Sequence, residues 1–132
     1  MTINSISKFH HVAMTVRDGA ISAQWYHDVF GFELVQKFTR TWLVGRGNCN
    51  LGLTELPNGR PVEELNTKIA IRHIAFHVQP YEFASAVRAL KDLGIPFEGP
   101  EESGVAGPSV FFHDPDGHEL EITAYHGEPV AQ

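Results

Sequence analysis

The feature that most constrains the fold of this chain is an internal duplication. Residues 9–16 (FHHVAMTV) and 71–78 (IRHIAFHV) alternate in side-chain type in the way that predicts β-strands. When the two halves are aligned, His11 pairs with His73. Each half is then predicted to continue as a helix followed by about three strands. Such a repeat predicts a pseudo-symmetric α+β architecture, with a site where equivalent strands meet.

The first predicted helix lies between two residues that commonly bound helices. Asp18 is suited to cap its N-terminus, and Gly31 is expected to follow its last turn in a left-handed conformation. Ile21, Trp25 and Val29 are spaced by one helical turn each, which predicts that they form the apolar face. The β-prone segments that follow are residues 32–38, 41–45 and 49–54.

The second half repeats this order with its own boundaries. Pro80 is well placed as the first helical residue, and Gly94 is expected to end the helix. The apolar stripe predicted for this helix consists of Phe83, Val87, Leu90 and Leu93. The strands predicted after it are residues 95–98, 109–113 and 119–125. A ferredoxin-like α+β sandwich is the alternative fold, and the long run of strands at the end of each half disfavours it.

A tight Asp-Pro-Asp-Gly turn joins the last two predicted strands within residues 112–123 (FHDPDGHELEIT). Gly117 can adopt the positive φ that ends such a turn. In the strand that leaves the turn, Glu119 and Glu121 share one face and Leu120 lies on the other. A carboxylate in the middle of a strand needs a partner, and a bound metal ion is one candidate for Glu121.

Composition excludes several classes of protein. The formal net charge of −6 argues against nonspecific nucleic-acid binding, which needs a basic surface. No apolar run approaches the length of a membrane span, and the first residues do not resemble a secretory signal. The single cysteine, Cys49, excludes an internal disulfide and suits a reducing compartment. We therefore expect a cytoplasmic protein with no membrane partner and one domain over residues 1–132.

Three side chains are candidate ligands of one metal ion, namely His11, His73 and Glu121. If the first and last strands of the two halves line one concave sheet, two imidazoles and a carboxylate can converge there. This set accepts Fe(II), Mn(II), Zn(II), Ni(II) or Co(II) and leaves positions open for water, oxygen or substrate. His77 shares a face with His73 and is a candidate catalytic acid or base, with a partly solvated rim position as the alternative.

The duplicated pattern, the two histidine-containing strands and the DPDGHELE stretch resemble the vicinal oxygen chelate superfamily over roughly residues 9–125. This group includes glyoxalase I, extradiol dioxygenases, fosfomycin-resistance enzymes and bleomycin-resistance proteins. The resemblance implies paired βαβββ modules, at about residues 8–56 and 71–126 with a loop at about 57–70, forming a cupped, partly open barrel. It also implies that His11, His73 and Glu121 bind one divalent metal ion, and that the chain forms a homodimer.

The sequence departs from glyoxalase I where that enzyme has a fourth ligand. Gly52 falls at the position that Glu121 occupies in the second half, and Glu55 is expected to face away from that side. A three-ligand site favours Fe(II) or Mn(II) and an extradiol-type dioxygenase acting on a small ring-bearing substrate. The alternative enzyme is a glyoxalase-like lyase or isomerase, or a thiol transferase. The alternative outside enzymes is a bleomycin-resistance-type protein that binds a drug without a metal.

Further side chains have weaker assignments. Trp42, Phe111 and Tyr125 are candidates for the walls of a cavity that accepts an aromatic substrate. His10 is expected on the opposite side of its strand from His11. Substrate choice is expected to depend on the loops at residues 57–68 and 99–108. Structural roles are expected for Trp25, Tyr26, Phe30, Cys49, His113 and His118.

Overall fold

The computed structural model describes residues 1–62, 68–102 and 107–124, with only the backbone at 101 and 102. The chain divides into two compact units, Met1–Arg60 and Pro61–Gln132. Within the described residues, each unit contains one α-helix and one four-stranded sheet with parallel and antiparallel pairs. The predicted α+β fold built from two βαβββ modules is therefore confirmed.

The first unit contains one strand, one helix and three further strands. These elements are β1 (Val12–Val16), α1 (Gly19–Phe30), β2 (Glu33–Lys37), β3 (Thr41–Arg46) and β4 (Cys49–Glu55). The sheet has the order β1-β4-β3-β2, in which only the β1–β4 pair is parallel. The first strand begins later than predicted, because His10 and His11 precede it.

The second unit repeats this topology. Its elements are β5 (Ile74–His77), a 3₁₀ turn (Pro80–Glu82), α2 (Phe83–Asp92), β6 (Glu98–Glu102), β7 (Pro108–His113) and β8 (Glu119–Thr123). The sheet has the order β5-β8-β7-β6, in which only the β5–β8 pair is parallel. His73 lies immediately before β5 and therefore outside its ladder of paired residues.

The register of the two sheets is also the same. Gly52 of β4 lies opposite Ala13 of β1. Glu121 of β8 lies opposite Ala75 of β5. Position 52 in the first sheet is thus structurally equivalent to position 121 in the second, as the sequence alignment of the halves predicted.

Each sheet buries apolar side chains on one face only. In the first unit this buried set includes Met14, Val16, Tyr26, Val44, Leu51 and Leu53, and α1 packs against β3 and β4. In the second unit it includes Phe83, Leu90, Val110, Phe112, Leu120 and Ile122. Because residues alternate along a strand, Gly52 and Glu121 lie on the opposite faces, which are not part of these cores. We call these the outer faces of the two sheets.

The boundaries of α1 are confirmed, but its predicted apolar stripe is wrong. Asp18 Oδ1 accepts a hydrogen bond from the backbone N–H of Ile21 at 3.0 Å, and Gly31 has φ of 71°. Ile21 is 61% exposed, whereas Gly19, Ser22 and Tyr26 are buried. Small residues occur on the buried side of α1 because the ring of Trp42 leaves no room for a side chain at Gly19, where a Cβ would lie 2.1 Å from it.

In the second unit Pro80 and Gly94 bound the helical segment as predicted, the latter with φ of 71°. Leu90 is buried, but Leu93 is 45% exposed and does not belong to the apolar face. The strand predicted at residues 95–98 is wrong, since β6 is Glu98–Glu102. The backbone N–H of Ile95 donates to Leu90 O at 2.9 Å, so it completes the helix end and cannot enter a strand ladder.

None of the helices formed by the described residues has the length and apolar character needed to cross a bilayer.

Candidate metal centre

The turn that precedes β8 is held by the buried side chain of Asp114. Its Oδ1 accepts hydrogen bonds from the backbone N–H groups of Asp116 at 3.0 Å and His118 at 2.9 Å. The backbone N–H of Gly117 donates to Asp114 O at 3.1 Å, and Gly117 has φ of 92°, as predicted for this turn. One carboxylate therefore fixes where β8 begins and which of its residues reach the outer face.

The first and third residues of β8 present carboxylates on that outer face. The side chain of Glu119 is 33% exposed and that of Glu121 is 14% exposed. Leu120 between them is fully buried on the core side. The predicted alternation along this strand is thus observed, and Glu121 is the more enclosed of the two carboxylates.

His73 lies between these two carboxylates. Its Nε2 is 3.0 Å from Glu121 Oε1, and its Nδ1 is 3.3 Å from Glu119 Oε1. The ring of Phe111 meets the imidazole edge to face, with 5.8 Å between centroids. The structure therefore brings together two of the three predicted ligands, His73 and Glu121, next to the ring of Phe111.

The spacing of this pair fits two neighbouring ligands of one ion. Ligand bonds of about 2.1 Å at angles of about 90–110° put two donor atoms about 3.0–3.4 Å apart. The separation of His73 Nε2 and Glu121 Oε1 is 3.0 Å, at the lower end of that range. Within the described residues no group of three or more His, Cys, Asp or Glu side chains is arranged as a complete metal site. Within its described residues the second unit therefore brings together a pair of candidate ligands.

The third predicted ligand, His11, belongs to the first unit. Its Nδ1 lies 2.8 Å from His10 Nδ1, and the two rings meet edge to face. The prediction that His10 points away from His11 is wrong, because the strand begins only at Val12. The Cδ2 atom of His11 lies 3.5 Å from the place of a Cβ at Gly52. The imidazole thus lies beside the position that corresponds to Glu121.

The nearby carboxylate of the first unit has a different role. Glu55 Oε2 accepts a hydrogen bond from the backbone N–H of Gly19 at 2.9 Å, at the first residue of α1. A carboxylate at a helix N-terminus is favoured by the unpaired N–H groups and the helix dipole. Glu55 therefore stabilises α1, in agreement with the prediction that it does not replace a carboxylate at Gly52.

The remaining predicted site residues have mixed outcomes. His77 is exposed at the end of β5, on the same face as His73. Phe111 borders the site, as described above. Trp42 lies opposite Leu53 on the core side of its sheet and contacts α1, so its predicted place on a cavity wall is wrong. Tyr125 lies outside the described residues.

A family model for the Glyoxalase/Bleomycin resistance protein/Dioxygenase superfamily matches residues 8–122. The chain belongs to this superfamily. The resemblance inferred from the duplicated sequence and the DPDGHELE stretch is therefore confirmed, and it corresponds to the duplicated topology of the two sheets.

Two curated relatives and one solved structure match most of the chain. "Glyoxylase I 4" of Arabidopsis thaliana is 30% identical over 136 residues, covering 95% of this chain and 75% of that protein. "Metallothiol transferase FosB" of Bacillus licheniformis is 26% identical over 123 residues, covering 92% of this chain and 78% of that protein. The crystal structure of the fosfomycin resistance protein FosX from Listeria monocytogenes, complexed with Mn(II) and dihydroxypropylphosphonic acid, has a TM-score of 0.73. It is 21% identical and covers 92% of each chain.

Sequence reasoning assigned no role to Glu119, although it contacts a candidate ligand. The signal was present in the alternation that places Glu119 and Glu121 on one face. The contact between Glu119 and His73 can be identified only from the parallel register, in which Ile74 lies opposite Leu120. That register sets the preceding residues, His73 and Glu119, side by side.

Proposed function

We propose that this chain is a divalent-metal-dependent enzyme acting on a small substrate that binds the metal through adjacent oxygen atoms. The observation that carries the proposal is the 3.0 Å approach of His73 Nε2 to Glu121 Oε1 on the outer face of the second sheet. An imidazole and a carboxylate at this spacing match two neighbouring ligands of one ion. Membership of a superfamily whose relatives include a metallothiol transferase supports the same function.

The proposed ligand set is completed by His11. Two imidazoles and one carboxylate form a facial set that leaves coordination positions for substrate. The ring of His11 lies beside Gly52, which is the structural counterpart of Glu121 in the repeat. An ion held by this set supplies Lewis-acid activation of the substrate oxygens. Fe(II) and Mn(II) are the favoured ions, and Zn(II), Ni(II) and Co(II) suit the same ligands.

The reaction class that we favour is thiol transfer or a glyoxalase-like isomerisation. The relatives named above are a glyoxalase and a metallothiol transferase, and each is matched over more than nine tenths of this chain. Gly52 offers no fourth carboxylate of the kind that glyoxalase I uses, which favours the three-ligand transferase type. In a transfer of this kind the thiolate sulfur attacks an electrophilic carbon, and the carbon–oxygen bond that breaks leaves an oxyanion that takes up a proton.

Extradiol ring cleavage, which the sequence alone favoured, is the second candidate. Its structural support is the ring of Phe111, which lies 5.8 Å from that of His73 and would suit an aromatic substrate. The named relatives give this activity no specific support, and it therefore ranks below thiol transfer.

We assign proton transfer to His77. It is exposed at the end of β5 and shares the outer face with His73, so a substrate lying along that face would reach it. An imidazole can both accept and donate a proton, and such a group contributes about 10²–10⁴-fold to a rate. His77→Gln is expected to lower kcat by about that factor without changing the metal content.

The experiment that tests the proposal is a metal analysis with matched histidine variants. Purified protein is incubated with Mn(II) or Fe(II), freed of excess metal, and analysed by mass spectrometry of the elements. We expect one equivalent per chain in the wild type and in His27→Gln, whose imidazole contacts Phe32 O in the first unit. His73→Ala is expected to lose the metal. Equal metal content in all three proteins would contradict the proposal.

Activity assays then separate the reaction classes. Metal-loaded protein is given a thiol with an epoxide, a hemithioacetal, or a catechol with oxygen. A thioether product supports transfer, an isomerised thioester supports the lyase, and oxygen uptake supports ring cleavage. A protein that binds no metal but binds a cationic drug would instead be a sequestering protein of the bleomycin-resistance type, which the net charge of −6 would suit.

The assembly that we propose is a homodimer. Among the described strands, β1 and β2 form the edges of the first sheet, and β5 and β6 form those of the second. A second chain would cover backbone groups that such edges leave unpaired. Light scattering during size-exclusion chromatography measures the mass directly. The cytoplasmic location and the single domain stay predictions.

A further inference from the structure

Each candidate ligand histidine has its Nδ1 atom in contact with a neighbouring side chain. In the second unit His73 Nδ1 lies 3.3 Å from Glu119 Oε1. In the first unit His11 Nδ1 lies 2.8 Å from His10 Nδ1. The partners differ in chemistry, because a carboxylate is an acceptor with a negative charge and an imidazole is neutral or positive.

We propose that Glu119 is a positioning residue for the metal centre, acting through His73. In the metal-bound protein its carboxylate, whose Oε1 lies 3.3 Å from His73 Nδ1, would accept the Nδ1–H and leave Nε2 without a proton, directed toward the ion beside Glu121. A carboxylate in this position fixes the tautomer and the orientation of the imidazole. The inference rests on the proposed metal-dependent function and adds a residue outside the predicted ligand set.

The position of His73 in the chain explains why such a partner is needed. His73 precedes β5, whose first paired residue is Ile74, so no ladder hydrogen bond holds its backbone in this sheet. Its side chain is 33% exposed. The orientation of its ring therefore depends on the contacts with Glu119, Glu121 and Phe111.

Glu119 is itself held in place by the turn that precedes it. It is the first residue of β8, and the backbone N–H of His118 donates to the buried Asp114 carboxylate at 2.9 Å. The carboxylate of Glu119 therefore projects from a fixed point, one position before the pair Ile74–Leu120 in the parallel ladder. A partner anchored in this way can orient an imidazole that its own strand does not hold.

The two carboxylates are assigned different roles because they contact different ring nitrogens. Nδ1 and Nε2 point away from each other across the imidazole, so a group on Nδ1 lies outside the coordination sphere of an ion on Nε2. Glu121 is 14% exposed against 33% for Glu119, and it approaches its nitrogen more closely. Glu121 is accordingly the ligand and Glu119 the positioning residue.

The test compares metal affinity in four proteins by calorimetric titration with Zn(II). We expect Glu119→Ala to raise the Kd about 10–100-fold while the stoichiometry stays at one per chain. Glu119→Gln is expected to recover part of this loss, because its amide oxygen still accepts from Nδ1–H. Glu121→Gln serves as the matched ligand variant and is expected to bind more weakly than either.

A spectroscopic measurement reports the tautomer directly. Nitrogen-15 spectra of the Zn(II)-loaded wild type are expected to show His73 with a proton on Nδ1 and none on Nε2. In Glu119→Ala the signal of the Nδ1 proton is expected to broaden through exchange with water. Thermal unfolding of each variant without metal provides the control for folding, and Glu119→Gln preserves the size of the side chain.

The outcomes distinguish this inference from the proposed function. Unchanged affinity in Glu119→Ala, with one Zn(II) bound to the wild type, overturns the role of Glu119 and leaves the metal centre standing. A greater loss in Glu119→Gln than in Glu121→Gln also overturns it, since Glu119 would then be the ligand. A wild type that binds no metal overturns the proposed function and this inference with it.

Discussion

The two sheets of this chain share a backbone plan and differ in the chemistry of their outer faces. Both place the first strand beside the last one in parallel, and both join the last two strands by a hydroxyl–hydroxyl contact. That contact is 2.9 Å between the Oγ1 atoms of Thr41 and Thr54, and 2.8 Å from Ser109 Oγ to Thr123 Oγ1. These residue pairs occupy equivalent positions in the repeat.

The side chains of the two sheets differ two residue pairs along the ladder from those hydroxyls. Gly52 occupies the position in the first sheet that Glu121 occupies in the second. The histidine beside each position has a different partner on Nδ1, His10 in one unit and Glu119 in the other. The two sheets therefore have the same backbone register. A few side chains on the outer faces determine which sheet presents carboxylates to a cation.

The largest expected effect on stability concerns the buried apolar core of each sheet. Leu51 and Leu120 are equivalent in the repeat and are 2% and 0% exposed. We expect Leu51→Ala and Leu120→Ala each to lower the free energy of unfolding by about 2–5 kcal/mol, because each leaves a cavity in a core. Urea denaturation measures both values. Leu56→Ala, at a residue that is 50% exposed, is the control and is expected to cost less than about 0.5 kcal/mol.

The next effect concerns the turns that precede the last strands. Asp114 is buried and accepts two backbone hydrogen bonds, whereas Asn48 in the corresponding turn of the first sheet is exposed. Asp114→Ala is expected to lower the free energy of unfolding by about 1.5–3 kcal/mol, since it removes hydrogen bonds to a charged group. Asn48→Ala is expected to cost less than about 0.5 kcal/mol. Equal costs would mean that the turns are held alike.

A smaller effect tests whether the outer face of the first sheet binds a cation when it carries a carboxylate like that of the second sheet. A Cβ at Gly52 would make only ordinary contacts, at 3.5 Å or more, so the fold can accept a side chain there. Gly52→Glu places a carboxylate beside His11 and is expected to tighten Zn(II) binding about tenfold, or about 1.4 kcal/mol. Gly52→Gln has the same size without the charge and is expected to leave the Kd unchanged. Identical values for the two variants would contradict the equivalence of the outer faces.

The smallest effect concerns the matched hydroxyl contacts. Ser109→Ala and Thr41→Val each remove one partner of an equivalent hydrogen bond, at 2.8 Å and 2.9 Å. We expect each substitution to lower the free energy of unfolding by about 0.5–1.5 kcal/mol, with similar values in the two sheets. Chemical denaturation resolves a difference of this size. A cost in one sheet alone would break the equivalence at these positions.

Features of the fold that depend on local chemistry were predictable from the sequence. The ends of the helices are set by the conformations and hydrogen bonds of Asp18, Gly31 and Gly94, and each of these residues lies where it was predicted. Features that depend on packing were not. The exposed Ile21 and the buried Ser22 reflect the approach of α1 to Trp42, which no local pattern contains.

The same distinction between local pattern and tertiary packing applies to the candidate site. His73 and Glu121 were identified because the repeat and the alternation of β8 are visible in the sequence, and the structure places them in contact. Glu119 was missed because its contact with His73 depends on which strand neighbours β5 and in what register. The contact between His10 and His11 was missed because the start of β1 could not be located from a β-prone run.

The most direct test of this account is a crystal structure of the Mn(II)-loaded protein, with the ion located by anomalous scattering. We predict one ion per chain bound by His73 Nε2 and the Glu121 carboxylate, with His11 as the third protein ligand and Glu119 on His73 Nδ1. An ion bound elsewhere, or a saturated crystal in which His73 and Glu121 still contact each other without an ion, would contradict it.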